Sequence, residues 1–444
     1  MRRSVWRFLF ISAEVRNRLL ISVGLLVIYR FVAHVPVPGV NREAIAGVLG
    51  GQGQTLFGLL DLLSGGTVSN FSVLAMGVYP YITAQIIIQL LVPIIPALQR
   101  RMDDDPREGR KWMEKWTYYL AVPMAALNAV GQIRLFQQYA TGQGPDVLNY
   151  QLGLNLETFT TILTMTAGTM FAIWMGELIS EFGIRNQGLS LIIFAGIVSR
   201  IPSNLGRIIM DQQQPGSLLI FVILIMVTTI FAIVFVQEGR RNVPVMYPGR
   251  RVGHRMSMPV KGKLPLMVNM AGMIPLIFAQ SILTFPAVLA QFFISSTNAT
   301  VQNIAFWLQS TFGGISNTYW VLYFLMVVAF TFFYTDVLFA QQNYGENLKR
   351  SGAQIPGVTK GVATQRYLTR VLRRITLPGA VFLGMVAVMP FLVGLIWPVG
   401  GSNTGLLLVS SSGLLIVVGV IRDVYRSIEA ELKLRGYDQA LLVR

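Results

Sequence analysis

Side chains that could carry out chemistry are few in this 444-residue sequence and lie far apart. There is no cysteine, which excludes disulfides, thiolate metal sites and cysteine nucleophiles. His34 and His254 are distant in sequence, so a histidine-based metal site is not expected. Glu177 and Glu181 are four residues apart and would share a helix face. Because no histidine lies near them, we interpret the pair as a solvated helix end.

Catalytic motifs are also missing. The sequence has no HExxH zinc motif, no GxSxG nucleophile motif and no Walker lysine. The glycine-rich string GGQGQT at 50–55 is not followed by Gly-Lys-Ser/Thr. We therefore expect no enzymatic activity, no catalytic residues, no metal and no cofactor, and any energy that the function needs must come from a partner.

A different kind of functional residue lies inside an apolar segment. The stretch FSVLAMGVYPYITAQIIIQLL, at 71–91, is long enough to cross a membrane, yet it contains Pro80, Gln85 and Gln89. Proline removes a backbone hydrogen bond, and glutamine side chains find no partner in hydrocarbon. The segment is therefore not expected to be an ordinary lipid-facing helix, and it is predicted to line a functional feature of the protein.

Composition predicts a polytopic membrane protein. The chain is 53% hydrophobic and 13% charged, with a mean hydropathy of +0.57. The N-terminal stretch MRRSVWRFLFISAEVRNRLL is interpreted as a retained amphipathic helix, because no signal-peptide cleavage site precedes the first span. Apolar runs of about 20 residues predict ten spans, centred on 19–36, 71–97, 116–136, 156–176, 188–205, 217–236, 264–293, 318–340, 376–397 and 404–421.

The distribution of Lys and Arg predicts the orientation of these spans. With the N-terminus inside, nearly all basic residues fall on inside segments, and the outside segments hold only Arg42, Arg134, Arg200 and Arg207. Both termini are therefore predicted to be cytoplasmic.

Two inside loops, at 237–265 and 341–375, are longer and more basic than the topology requires. One interpretation is the positive-inside bias together with attraction to anionic lipid. The other is a docking surface for an anionic partner, such as RNA or an acidic protein. The first loop alternates apolar and polar residues around a Pro-Gly turn, which predicts a protruding hairpin.

A short motif occurs twice. GVYPYITAQ at 77–85 and GMIPLIFAQ at 272–280 agree at five of nine positions, each in the second span of a five-span half. The predicted topology runs the two spans in opposite directions, as in inverted repeats, although short apolar strings also match by chance. Two such helices facing each other would form a gate or a binding cleft.

The segment TLFGLLDLLSGGTVSN at 55–70 is too short to span. It fits either an extracellular amphipathic turn or a re-entrant half-helix surrounded by protein or water. The second interpretation suits a segment that blocks a path beside the next predicted helix, 71–91, which contains polar residues.

These stretches resemble the SecY family of protein-translocation channels. The resemblance rests on SVLAMGVYPYITAQIIIQLL, WMGELISEFGIRNQGLSLIIFAGI, LPLMVNMAGMIPLIFAQSILTFP, DLLSGG, NLKRSGAQIPG and GLLIVVGVIRD, in order along the chain. It implies an all-α polytopic membrane protein with ten transmembrane helices in two inverted five-helix halves, 1–205 and 206–444. It also implies a channel for unfolded secretory polypeptides that releases hydrophobic segments laterally, with a plug at about 56–69.

The resemblance carries functional residues onto this sequence. The implied pore ring is Val78, Ile82, Leu189, Ile193, Ile277 and Ile416. The implied lateral gate is Thr83, Gln85, Gln89, Gln280, Ser281 and Phe285. The implied plug residues are Phe57, Leu59, Leu60, Asp61, Leu62, Leu63, Ser64, Gly65 and Gly66. Docking of a motor or ribosome is expected at Arg240, Arg241, Arg250, Arg251, Arg255, Lys349, Arg350, Lys360 and Arg366.

Two local departures from the family pattern stand out. FGIRNQGLS, at the start of the fifth span, is one residue longer than the family's usual stretch. Thr359 occupies the position of a functional arginine, and the following Lys360 could supply the charge without the bidentate geometry of arginine.

Partners follow from the resemblance as well. They are SecE, SecG, the SecA ATPase, the ribosome (with ribosomal RNA contacted only through it), secretory precursors with their signal peptides, and anionic lipids. The implied location is the cell inner (plasma) membrane, as a multi-pass protein with both termini cytoplasmic.

The main alternative is a secondary transporter of small solutes, since inverted repeats and broken helices occur there too. Transporters ordinarily place ionisable residues at the membrane midplane. The candidates here are Arg30, Asp61 and Asp336, which we interpret as residues near an interface or a neighbouring helix.

Overall fold

The structure is a computed structural model. The structure describes residues 13–40, 67–68, 71–140, 155–210, 216–248, 251–252, 255–256, 260–291, 293–294, 298–313, 316–342, 344–396 and 404–434.

Helices make up most of the described chain, and each of the ten predicted spans overlaps one. The helices are α1 (Ala13–Val32), α2 (Tyr79–Ile94), α3 (Pro96–Asp104), α4 (Pro106–Ala140), α5 (Leu156–Phe182), α6 (Gly188–Met210), α7 (Gly216–Glu238), α8 (Ile274–Gln291), α9 (Ala299–Phe312), α10 (Asn317–Gln341), α11 (Tyr344–Arg350), α12 (Val362–Ile396) and α13 (Thr404–Leu434). The strands are β1 (Arg240–Tyr247), β2 (Arg251–Val252), β3 (Arg255–Met256) and β4 (Val260–Met267).

Within the described residues, three helices are long and apolar enough to cross a membrane by themselves. They are Leu156–Phe182, the stretch Asn317–Arg350, which contains α10 and α11, and Val362–Met389 in α12. A fourth span results if the bent pair Tyr79–Val92 and Pro96–Met102 counts as one. The number of ten spans therefore remains a prediction.

The chain forms two compact units. The first comprises 1–219, 281–319 and 399–444, and the second comprises 220–280 and 320–398. Three of the boundaries fall inside helices, between residues 219 and 220 in α7, between Gln280 and Ser281 in α8, and between residues 319 and 320 in α10. These units are not the sequence halves 1–205 and 206–444, which remain a prediction.

Prolines set the limits of α2. Pro80 occupies the second position of the helix, where no intrahelical partner is needed for its missing N–H. Ile95 ends the helix with extended backbone (φ −98°, ψ 108°), the conformation favoured before a proline. Pro96 then starts α3, and the two helices are bent by 97°.

Small residues let elements of the first unit approach closely. Gly168 of α5 lies directly against the backbone carbonyl of Val73, and Gly188 at the start of α6 lies against the carbonyl of Gly176 in α5. Neither position leaves room for a Cβ atom. Close approach of backbones at glycine is typical of helices packed in a membrane, where dispersion stabilises the structure.

The second unit contains the predicted hairpin. β1 pairs antiparallel with β4, with Arg240 opposite Met267 and Tyr247 opposite Val260, and this confirms the prediction made from the alternating pattern. A short antiparallel pair, β2 with β3, lies between them in sequence.

The two basic loops share one hydrophobic core. Met246 of β1 and Gln354 of the second loop exchange backbone hydrogen bonds of 2.8 and 2.9 Å. Beneath this bridge, the buried Val243 and Val245 of the hairpin pack in one cluster with Ile355. Other members of that cluster come from α10, α11 and α12. We call this hairpin together with residues 344–375 the loop domain.

Truncation of one side chain should open the loop domain. Leu368 of α12 is fully buried in its core, so Leu368→Ala is expected to lower the opening free energy of β1 by about 2–5 kcal/mol. Hydrogen exchange at the β1 amides measures this. The control is Leu377→Ala on the same helix, where the side chain is 57% exposed and the change should stay within about 0.5 kcal/mol. Equal protection in both variants would contradict the shared core.

Candidate functional site

The repeated motif has the same local geometry in both copies. Gly77 (φ 51°) and Gly272 (φ 66°) both adopt the left-handed conformation that favours glycine. Each stands just before a helix, α2 or α8, whose second residue is proline, Pro80 or Pro275. The sequence repeat is therefore also a structural repeat at these residues.

A residue three positions earlier holds each glycine. The N–H of Gly77 donates to the backbone carbonyl of Leu74 at 2.7 Å. The N–H of Gly272 donates to Oδ1 of Asn269 at 2.9 Å, and Nδ2 of Asn269 donates to the carbonyl of Gly272 at 3.0 Å. In the second copy, a side chain has thus taken over the role that the backbone has in the first.

A polar contact joins α2 to the C-terminal part of α8 within the first unit. The hydroxyl of Tyr79 donates to the backbone carbonyl of Ser281 across 3.5 Å, at the long limit for a hydrogen bond. Thr83, one turn along α2, donates its hydroxyl back to the carbonyl of Tyr79 at 3.0 Å. Ser281 and Thr284 are buried as well. We call Tyr79, Thr83, Ser281 and Thr284 the polar seam.

The residues predicted for the lateral gate are located as follows. Thr83 and Ser281 belong to the polar seam, whereas Gln85, Gln89 and Phe285 are half-buried on the same two helices. Gln280 is buried and lies in the second unit.

The residues predicted for the pore ring are apolar and largely enclosed. Val78, Ile193, Ile277 and Ile416 are buried, and Ile82 and Leu189 are half-buried. Five of the six lie in the first unit, and Ile277 lies in the second.

Leu189 has neighbours that the sequence does not suggest. Its side chain packs with a cluster that includes Tyr81 and Ala84 of α2 and Ile173 of α5. A Cβ added at Gly176 would come within 2.7 Å of Leu189 Cδ2. Leu189 thus helps to join α6 to α5, in addition to the ring role predicted for it.

The predicted plug residues, Phe57 to Gly66, lie outside the described residues, as does most of 56–69. Hydrogen bonds fix the described chain that follows, at residues 67 and 71–73. Thr67 donates its hydroxyl to the carbonyl of Leu74, and residues 35–37 bridge to 71–73 through backbone hydrogen bonds.

Phe71 is the most constrained residue of this anchor. It has a left-handed backbone (φ 41°), which is strained for a side chain of its size. Its ring is fully buried and meets Phe136 of α4 edge-on, with centroids 4.9 Å apart. The buried ring and the backbone bridge between residues 35–37 and 71–73 compensate this strain. They also fix the position of the chain that leads into α2.

The loop domain carries the described part of the predicted docking surface. Arg240, Arg241, Lys349, Arg350, Lys360 and Arg366 are all exposed there. Arg250 lies outside the described residues, and so do the side chains of Arg251 and Arg255. Two of these arginines have acidic partners: Arg240 pairs with Glu238 at 2.8 Å and Arg350 with Glu346 at 3.5 Å.

The contacts of Tyr79, Asn269 and Gln354 were not predicted from the sequence. The role of Asn269 could have been inferred, because this residue stands three positions before the repeated glycine. The pairing of Gln354 could also have been inferred, since apolar Ala353 and Ile355, both buried, flank it in a strand-like alternation. No sequence pattern indicates the contact of Tyr79, because its partner is 202 positions away.

Comparison with known proteins gives a consistent result. The family model for SecY matches residues 72–425. The chain is 37% identical to the protein translocase subunit SecY of Chlamydia trachomatis serovar D, over 98% of this chain and 97% of that one. It is 37% identical to the same subunit of Aquifex aeolicus and 35% identical to that of Streptomyces coelicolor, over 97% of each chain.

Solved structures share the fold. A protein-conducting channel superposes with a TM-score of 0.66 at 19% identity, covering 97% of both chains. The channel of a canine ribosome–channel complex from the endoplasmic reticulum gives a TM-score of 0.62 at 18% identity, also over 97% of both. The secondary-transporter alternative finds no support in these matches. The chain is a membrane protein that belongs to the SecY family.

Proposed function

We propose that this chain is the protein-conducting subunit of a translocase. It passes unfolded secretory polypeptides across a membrane and releases hydrophobic segments sideways into lipid. The observation that carries the proposal is the match to SecY translocase subunits along nearly the whole chain. Channels seal with apolar rings that dewet when closed and yield to a passing chain, and the six ring residues have the chemistry for this role.

The polar seam supports lateral release. The hydrogen bond of Tyr79 is long, and a hydrogen bond contributes only about 0.5–1.5 kcal/mol net. The hydroxyl of Thr83 is bonded within its own helix, so separating α2 from α8 leaves that bond intact. Water entering the open seam would solvate Ser281 and Thr284. Each apolar residue of a translocating segment then favours exit into lipid by roughly 0.3–0.6 kcal/mol.

The partners and location remain part of the proposal. The exposed arginines and lysines of the loop domain suit an anionic surface, which SecA or a ribosome would supply together with the driving energy. SecE and SecG are proposed as membrane partners, and the bacterial inner membrane as the location, with both termini cytoplasmic. No catalytic step is assigned to this chain.

A cysteine cross-link tests the channel. Because the chain has no cysteine, Ile82→Cys provides a single thiol at the proposed ring. We expect this thiol to form a disulfide with a single-cysteine secretory precursor that has stalled partway across the membrane of vesicles containing the protein. The control is Val227→Cys on α7, where the native side chain is 59% exposed and no cross-link is expected.

Either of two results would reject the assignment. One is the absence of a cross-link at residue 82 while the vesicles import the precursor. The other is equal cross-linking at residues 82 and 227, which would mean that the precursor contacts the protein without entering a pore.

A further inference from the structure

An ion pair joins the first and the last helices that the structure describes. Nη1 of Arg18 in α1 lies 3.2 Å from Oε1 of Glu431 near the end of α13. Both helices belong to the first unit. We call the Arg18–Glu431 ion pair the brace.

The brace is largely shielded from water. The side chains of Arg18 and Glu431 are each only 18% exposed. Arg18 has a second acidic neighbour, Glu14, but that contact is longer, at 3.5 Å, lies within α1 and involves a side chain that is 53% exposed. An exposed pair contributes little, whereas removal of one partner from a shielded pair leaves a poorly solvated charge. The contact with Glu431 is therefore the one whose loss should matter.

The α1 end of the brace is itself fixed in place. Ser22, one turn after Arg18, donates its hydroxyl to the carbonyl of Arg18 at 2.9 Å and accepts the N–H of Ile184 at 3.1 Å. A Cβ added at Gly183 would collide with the same hydroxyl. Ile184 and Gly183 lie in FGIRNQG, the turn between α5 and α6 that is one residue longer than usual in the family. Ser22 thus attaches α1 to the chain from which α6 starts.

The brace connects this fixed support to a helix that carries part of the proposed pore ring. Ile416 lies on α13, fifteen residues before Glu431, or about 22 Å along the helix. α13 packs against α6, which carries the ring residues Leu189 and Ile193. Three of the six ring residues therefore lie on two helices whose ends are attached to α1.

We propose that the brace keeps the closed ring sealed by positioning α13. This helix runs without interruption from Thr404 to Leu434, so release of its end allows the whole helix to tilt. The tilt moves Ile416 away from the ring residues of α6, and a gap in an apolar ring admits water and then ions. Arg18 and Glu431 act through Ile416 as positioning residues. The inference rests on the proposed ring but requires no partner protein.

The test is chloride efflux from phosphatidylcholine vesicles that contain the purified full-length protein, without precursor or motor. Arg18→Gln and Glu431→Gln should each raise the efflux rate about tenfold, because each removes the shielded pair. The double variant should leak no more than either single variant, since both substitutions remove the same interaction. Arg18→Lys keeps the charge and should restore most of the seal. The matched control is Glu14→Gln, which removes the exposed neighbour of the same arginine and should change efflux by less than about twofold.

A distance measurement reports on the brace without relying on the ring. Spin labels at Asn17→Cys and Ala430→Cys, both exposed positions next to the pair, measure the separation of α1 from the end of α13. In the labelled protein, Arg18→Gln should lengthen or broaden the distance distribution, and Glu14→Gln should leave it unchanged.

A ring variant separates failure of this proposal from failure of the proposed function. Ile82→Ser alters the ring directly and should leak with the brace intact. Tight vesicles with Ile82→Ser would reject the ring, whereas a leak with Ile82→Ser and none with Arg18→Gln would reject the brace alone. The proposal is also overturned if Glu14→Gln leaks as much as Arg18→Gln, if the effects of the two single glutamine variants multiply in the double variant, or if Arg18→Gln leaves the label distance unchanged.

Discussion

Tethering Tyr79→Cys on α2 to Ser281→Cys on α8 with a short bifunctional methanethiosulfonate, which attaches through reducible disulfides, should abolish precursor translocation, and reduction of the tether should restore it. The reason is geometric. The Tyr79 hydroxyl contacts the backbone carbonyl of Ser281 across the polar seam, so a short tether between these two positions holds the helices close to their present separation. A polypeptide that widens the seam could then neither insert nor leave sideways. The expected loss is nearly complete, and the measurement is the protease-protected precursor in vesicles.

Controls decide whether the loss of translocation is caused by the tether or only by modification of the cysteines. Each single-cysteine variant treated with the reagent should remain active. A tether at Ser22→Cys/Ile184→Cys joins α1 to the end of α5, where Ser22 already accepts a hydrogen bond from Ile184 N at 3.1 Å. That tether includes neither α2 nor α8, and it should leave translocation intact. If a fully formed 79–281 tether left translocation unchanged, lateral opening at this seam would be rejected, whereas the Ile82 cross-link would still test the pore.

The second large effect is a loss of stability, expected when a single methyl group is added at Gly168. Gly168→Ala should destabilise the protein by about 2 kcal/mol or more, because the new Cβ would collide with the backbone carbonyl of Val73. A backbone carbonyl cannot turn aside as a flexible side chain does. The segment from Phe71 to Val78 would have to shift, and with it the start of α2. The measurement is the midpoint of thermal unfolding in detergent.

Gly24 offers a matched control. It also lies within a helix, α1, but nothing is within 4 Å of the position that a Cβ would occupy. Alanine is favoured over glycine in a helix by about 1 kcal/mol, so Gly24→Ala should leave the midpoint unchanged or raise it. Equal midpoints for Gly168→Ala and wild type would show that α5 and residues 71–78 are packed less closely than described.

Local patterns predicted much of this architecture. Each predicted span overlaps a helix, and alternation around a Pro-Gly turn predicted the β1–β4 hairpin. These features depend on residues close in sequence, where hydrophobic periodicity and turn residues act directly. The repeated Gly and Pro likewise indicated two positions with related backbone geometry.

Contacts between distant residues could not be predicted in the same way. The sequence suggested two separate basic loops, but Met246 pairs with Gln354, more than a hundred positions away. The contact from Tyr79 to Ser281 depends on the placement of two helices, which no local pattern encodes. The extra role of Leu189 at the α5–α6 packing has the same origin, because the space beside Gly176 exists only once those helices have packed.

The shared core of the loop domain has a mechanical consequence. α7 ends at Glu238 and β1 begins at Arg240, so the hairpin is joined to that helix almost without slack. Val243 of the hairpin packs in the same cluster as Phe339 near the end of α10 and Leu372 within α12. A force applied to the hairpin is therefore distributed over three helices as strain in a close-packed, poorly compressible core. A partner that pushes or twists the hairpin displaces the helices themselves, and little of its work is lost in bending a loose linker.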